Sequence, residues 1–219
     1  MKRLVVFGDS FSNSWERIVN YRPFSYQTKY AKEFYDKHQH YPIHFSDILK
    51  EEFGFDEVVN KSRNGSDNYS IMESIGNEIG NINDNDFVLI GWSDITRWRH
   101  IGDNNLWYIN YIGDTNPNPN PYDIRHPKRK PKPYKDIPFM EYQSLLRNNP
   151  LTIKELESWQ YILTKAIKNV FFWTPFYFEN LGNIPFVTNI RREESGTITE
   201  ETHGEIVDDH WGGTGHEII

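Results

Sequence analysis

The stretch Leu4-Val5-Val6-Phe7-Gly8-Asp9-Ser10 decides the fold. It opens with an uninterrupted apolar run of strand-forming residues, and a run without polar alternation marks a strand buried on both faces. Gly8-Asp9 then breaks the run and delivers a serine. A strand covered on both faces belongs to a parallel sheet flanked by helices, and in such sheets ligands bind at the carboxyl ends of the strands. Ser10 therefore falls where a sheet can hold a nucleophile rigid and exposed. The competing reading is a cap turn, with Ser10 or Ser12 at the start of the next helix.

The pattern outward from this strand alternates. Residues 26–38 are polar, aromatic and helix-compatible, and 43–53 carry Phe45, Ile48, Leu49 and Phe53 at helical spacing before the stop signal Gly54. Residues 55–60 (FDEVVN) predict a strand, and 62–68 (SRNGSDN) a turn-rich loop. A helix follows over 70–82, with Ile71, Ile75, Ile79 and Ile82 on one stripe; Gly76 and Gly80 inside it are expected to allow close helix–sheet packing. Residues 86–91 (DFVLIG) give the clearest strand, 151–167 a helix, and 168–173 (KNVFFW) another buried strand. Strands alternating with helices predict an α/β fold, a three-layer α/β/α arrangement around a central, mostly parallel sheet.

Residues 102–150 depart from this rhythm. NPNPNP spans 116–121, and RHPKRKPKPYK spans 125–135 with basic residues and no acid. The prolines forbid regular helix or central strand there. The stretch reads as a long Pro-rich loop or small subdomain inserted into one domain covering 1–219. Its basic run is either a solvated face or a place for an anionic partner such as nucleic acid.

Composition narrows the classes. The chain has 219 residues, enough for one domain, with 37% hydrophobic and 16% aromatic residues to build a core. The formal net charge of -7 argues against a chain-wide nucleic-acid binder. With no cysteine, disulfide scaffolds, thiolate metal sites and thiol nucleophiles are excluded. The apolar run at Leu4–Phe7 is too short for a signal-peptide core, and nothing approaches the roughly 18 apolar residues of a membrane span. A cytoplasmic protein without membrane contact is the expectation; nothing in the sequence addresses oligomeric state.

A serine hydroxyl needs a base to become a nucleophile. The most suggestive one lies far along the chain, in Asp208-Asp209-His210-Trp211-Gly212-Gly213-Thr214-Gly215-His216. A histidine beside an acid can take the serine proton while the acid orients the ring and stabilises the imidazolium. His216 reads as a capping or packing residue. His38, His40 and His44 form a loose cluster that no further ligand completes, so no metal is expected.

Four blocks, taken in order, resemble the SGNH (GDSL-type) hydrolases. They are Phe7-Gly8-Asp9-Ser10-Phe11-Ser12; the loop Asn60 to Asn68, which is similar to the family's Asn-x-(small)-x-x-Gly; Ile90-Gly91-Trp92-Ser93-Asp94, where the family has Gly-x-Asn-Asp; and Asp208-Asp209-His210 through His216. The Gly-x-Ser-x-Gly elbow of the other large α/β-hydrolase class is absent. The resemblance implies a flavodoxin-like SGNH fold and a serine esterase that cleaves a small acyl or acetyl ester, free or glycan-linked, without a cofactor. Ser10 would be the nucleophile and His210 the base, and the oxyanion hole would draw on the N–H groups of Ser10 and Gly65 and on the side chain at 93.

Two positions depart from the family. Ser93 stands where the family has an Asn donor, and the family's triad Asp, three residues before the His, falls on Val207. Asp208 is preferred as the acid because a one-residue contraction of the loop is easier than an acid adjacent to its own His; Asp209 is the alternative. Asp9, Trp92 and Arg97, near the mouth of the expected site, are candidates for substrate contact, the tryptophan equally a candidate for the core. The same resemblance allows an acyltransferase. It also allows a non-catalytic binding protein that holds an anionic partner on the basic insertion.

Overall fold

A computed structural model describes residues 1–21, 25–93, 98–101, 107–110, 150–174, 187–189 and 197–206. Its strands are β1 (Arg3–Phe7), β2 (Glu57–Asn60), β3 (Phe87–Gly91), β4 (Trp98–Ile101), β5 (Trp107–Asn110), β6 (Val170–Thr174) and β7 (Val187–Asn189). The helices are α1 (Trp15–Tyr21), α2 (Tyr26–His38), α3 (Phe45–Phe53), α4 (Asn68–Glu78), α5 (Pro150–Ala166) and α6 (Ile198–Glu201), with a 3-10 turn at Ile79–Asn81. The main sheet has the order β2-β1-β3-β6-β7, and each of its pairings is parallel. The chain is thus α/β, as its alternation predicts.

Burial follows the apolar runs. Val5 and Phe7 of β1, Val88 and Ile90 of β3 and Phe172 of β6 face one way, where Ile71 and Ile75 of α4 and Leu156 and Leu163 of α5 cover them. Leu4, Val6 and Trp173 face the other way, onto Phe45 and Leu49 of α3 and onto Phe55. Burial on both faces is why these strands carry no polar alternation. A third cluster joins Trp15 and Ile18 of α1 to Tyr30 and Ala31 of α2 and to Ile198 and Ile206.

Two expectations change. Gly76 and Gly80 do not serve close packing: a side chain at either would meet nothing within 4 Å. The glycines sit on the open side of the isoleucine stripe, and the sheet contact is made by Ile71 and Ile75. Helix α1 begins at Trp15, so neither Ser10 nor Ser12 stands at a capping position. Within 102–150, β5 pairs antiparallel with β4, Trp98 opposite Asn110 and Ile101 opposite Trp107. The proline-rich 116–121 and the basic 125–135 lie outside the described residues.

β1 lies between β2 and β3, and the chain winds outward from it in opposite senses. Such a switch in strand order opens a crevice beyond the carboxyl ends of the strands beside it. Ser10 follows β1, Gly65 follows β2, and Ser93 follows β3. The topology therefore brings three sequence-distant candidates to one edge. No helix among the described residues is long and apolar enough to cross a membrane.

Candidate active site

The loop after β2 is laced to the turn after β1. Beyond the strand ends, the Lys61 N–H donates to the Val6 carbonyl at 2.7 Å and the Arg63 N–H to the Gly8 carbonyl at 3.1 Å. The chain then turns, the Ser66 N–H donating to the Arg63 carbonyl at 3.2 Å. Side chains reinforce it. Asn60 Nδ2 donates to the Ser12 carbonyl at 2.7 Å, and Asn60 Oδ1 accepts from the Ser62 N–H at 3.0 Å. Asn13 Nδ2 donates to Asn64 Oδ1 at 2.8 Å, and Asn64 Nδ2 to Gln27 Oε1 at 2.8 Å. The turn that carries Ser10 is thus held from the Gly8 side and from the Ser12–Asn13 side.

Gly65 has φ +80, a left-handed conformation that glycine adopts without steric cost. It is half-buried, and no hydrogen bond engages its N–H among the described residues. An N–H group at this edge is the kind of donor that stabilises an oxyanion.

The floor beneath Ser10 is close-packed. A Cβ built on Gly8 would lie 2.2 Å from Ser12 Oγ, and one on Gly91 would lie 2.4 Å from Ser12 Oγ and 2.9 Å from the Trp173 indole. The fully buried Ser12 side chain occupies the space that the two glycines leave between the ends of β1 and β3. Glycine at 8 and 91 is what allows the strands to end this close to one another.

Ser93 departs from its expected role. Its residue is fully buried, and Oγ donates to Asp9 Oδ2 at 3.0 Å. A hydroxyl has one proton to give, so this one is not offered to an oxyanion. The Ser93 backbone is also engaged: its N–H donates to Asn68 Oδ1 at 2.8 Å, and its carbonyl accepts from Asn68 Nδ2 at 3.0 Å.

Asp9 and Trp92 are buried rather than open at this edge. Asp9 is 1% exposed, and its Oδ1 accepts from the Phe11 N–H at 3.0 Å, so the carboxylate fastens the turn on either side of Ser10. Trp92 is also 1% exposed. It stacks on Phe172 with centroids 5.9 Å apart and leans on Trp159 at 6.4 Å. The residue after a central strand continues its alternation, and position 92 falls on the covered face.

Arg97, Asp208, Asp209, His210 and His216 lie outside the described residues. His44 is the buried N-cap of α3 and has no place at this edge. Among the described residues no group of three or more His, Asp or Glu is placed to hold a metal ion. The residues that sequence reasoning missed are Asn13, Gln27 and Asn68. Asn and Gln are ordinary in polar turns and on helix surfaces, and only the contacts distinguish these three. No protein-family model, curated protein or solved structure matches the chain.

Proposed function

We propose that this protein is a serine hydrolase of the SGNH type, on a three-layer, flavodoxin-like scaffold, that cleaves a small acyl ester. The observation that carries this reading is that the loop holding Gly65 is hydrogen-bonded to the turn that carries Ser10, at the carboxyl edge beside the β1–β3 switch point, with no partner for the Gly65 N–H among the described residues. Ser10 Oγ attacks the acyl carbonyl carbon as His210, assigned from the sequence, takes its proton and Asp208 steadies the imidazolium. The carbonyl oxygen becomes an oxyanion that the N–H groups of Ser10 and Gly65 receive. Collapse breaks the ester bond, His210 returns the proton to the departing alcohol, and an acyl-Ser10 remains. Water, deprotonated by His210, then releases the acid and regenerates Ser10; an alcohol in place of water makes the same protein an acyltransferase.

One observation favours a second reading, a non-catalytic binding protein on the same scaffold. Ser93 is spent on Asp9, and loss of one oxyanion donor costs a hydrolase about 3–4 kcal/mol of transition-state stabilisation. Hydrolysis of 4-nitrophenyl acetate, with labelling by a fluorophosphonate, separates the two. Turnover and labelling by wild type, absent in Ser10→Ala and with turnover lost in His210→Ala, support the hydrolase. Identical traces from all three proteins and no label on Ser10 refute it and leave the binding protein.

A further inference from the structure

We propose that Ser93 is a positioning residue: by holding Asp9 it sets the backbone of the turn that carries Ser10. The inference rests on the hydrolase reading and assigns Ser93 a role other than that of the Asn it replaces. Three buried groups from different parts of the chain meet here. Asn68, at the start of α4, grips the Ser93 backbone with both ends of its amide, at 2.8 and 3.0 Å. With the backbone fixed, Ser93 Oγ is aimed at Asp9 Oδ2, 3.0 Å away. Asp9 Oδ1 receives the Phe11 N–H, so one carboxylate connects the end of β3 to the residue after Ser10. Asp9, Ser93 and Asn68 are 1%, 0% and 8% exposed. In such surroundings hydrogen bonds are little weakened by solvent.

The consequence concerns geometry. The Asp9 carboxylate holds the peptide units flanking Ser10, so the direction of the Ser10 N–H and the starting point of its side chain depend on where Asp9 sits. Without the Ser93 hydroxyl, Oδ2 loses a donor and Asp9 can turn. The turn then loosens, with the serine chemistry itself untouched. Small misplacements of this kind slow the chemical step far more than they weaken binding. The oxyanion hole is then the two backbone N–H groups of Ser10 and Gly65, and Ser93 acts on it from behind.

The test uses Ser93→Ala, Asp9→Ala and the double variant in the full chain. Each is read by kcat and KM on 4-nitrophenyl acetate and by the rate of fluorophosphonate labelling of Ser10, normalised to folded protein. Alanine at 9 has no acceptor, so Asp9→Ala gives up both Phe11 and Ser93. Both single variants should lower kcat by about tenfold or more with KM within about twofold. The double variant should lose no more than the worse single, because both changes break the same link. Losses that multiply would mean that Ser93 acts on the oxyanion independently of Asp9, and an unchanged kcat in Ser93→Ala would mean that it only fills space; either overturns the proposal while leaving a labelled, active wild type as a hydrolase. A wild type that neither turns over the ester nor takes the label overturns the hydrolase reading and the proposal with it.

Discussion

His44 caps α3 from a fully buried position, and replacing it with asparagine isolates one contribution to acid stability. Its Nδ1 accepts from the Ser46 N–H at 3.3 Å and meets Ser46 Oγ at 2.7 Å. The ring lies against Phe45 with centroids 4.2 Å apart. Burial away from water holds the imidazole at a pKa of about 3, down from 6.5. Protonation would also place a hydrogen on the nitrogen that accepts the cap. Below pH 6.5 the unfolded chain binds a proton here that the folded chain does not, so stability is full above that pH and falls as pH decreases toward 3. At pH 4.5 the loss is about 3 kcal/mol, at about 1.4 kcal/mol per pH unit. That is a large part of a typical total of about 5–15 kcal/mol.

The opposing group nearby is Asp47, whose carboxylate accepts from the His44 N–H and whose pKa burial raises. It contributes stability of the opposite sign as pH falls through its folded pKa, and because it bonds the backbone of residue 44 it acts equally in His44→Asn. Asparagine keeps a capping acceptor and does not titrate. Urea unfolding followed by tryptophan fluorescence, at intervals from pH 7 to 4.5, should show wild type losing about 3 kcal/mol more than His44→Asn. Parallel curves for the two proteins, or an NMR titration of His44 near 6.5, would refute the reasoning.

Three further outcomes follow from the packing. Gly91→Ala places a methyl 2.4 Å from Ser12 Oγ and 2.9 Å from the Trp173 indole; overpacking should cost about 1–3 kcal/mol in urea unfolding and change tryptophan emission. Asn68→Ala leaves the buried N–H and C=O of Ser93 without their amide partner, so a loss of about 2–4 kcal/mol is expected, and a midpoint equal to wild type would contradict it. Arg3→Ala removes the guanidinium paired with the 1%-exposed Asp86. The hydrogen bond from Arg3 holds the Asp86 pKa below 3.8, so this contribution is present above that pH and is lost as pH falls through the lowered value. Arg3→Ala should therefore be less stable than wild type at pH 7, with the gap narrowing toward pH 2.

Sequence alone determined the elements whose signal is local. Apolar runs at Leu4–Phe7 and at 86–91 are strands because burial on both faces requires uninterrupted apolar side chains. The period in 43–53 is a helix that ends at Gly54, which has φ 62. Strand β7 and helices α1 and α6 escaped because each is short, and a short element carries too little period to be recognised. Ser10 at the end of a buried strand was legible for the same local reason, as was the glycine turn at 65.

Tertiary structure decided the rest. The order β2-β1-β3-β6-β7 and the register that brings the Gly65 loop to the Ser10 turn depend on pairings between distant segments. The same residue types in the same places would read alike whether Ser93 faced an oxyanion or Asp9. That choice is made by a hydrogen bond between positions 84 apart in the chain, with Asn68 holding the Ser93 backbone. Local pattern records which side chains are buried; which buried polar group finds which partner depends on how the strands are ordered.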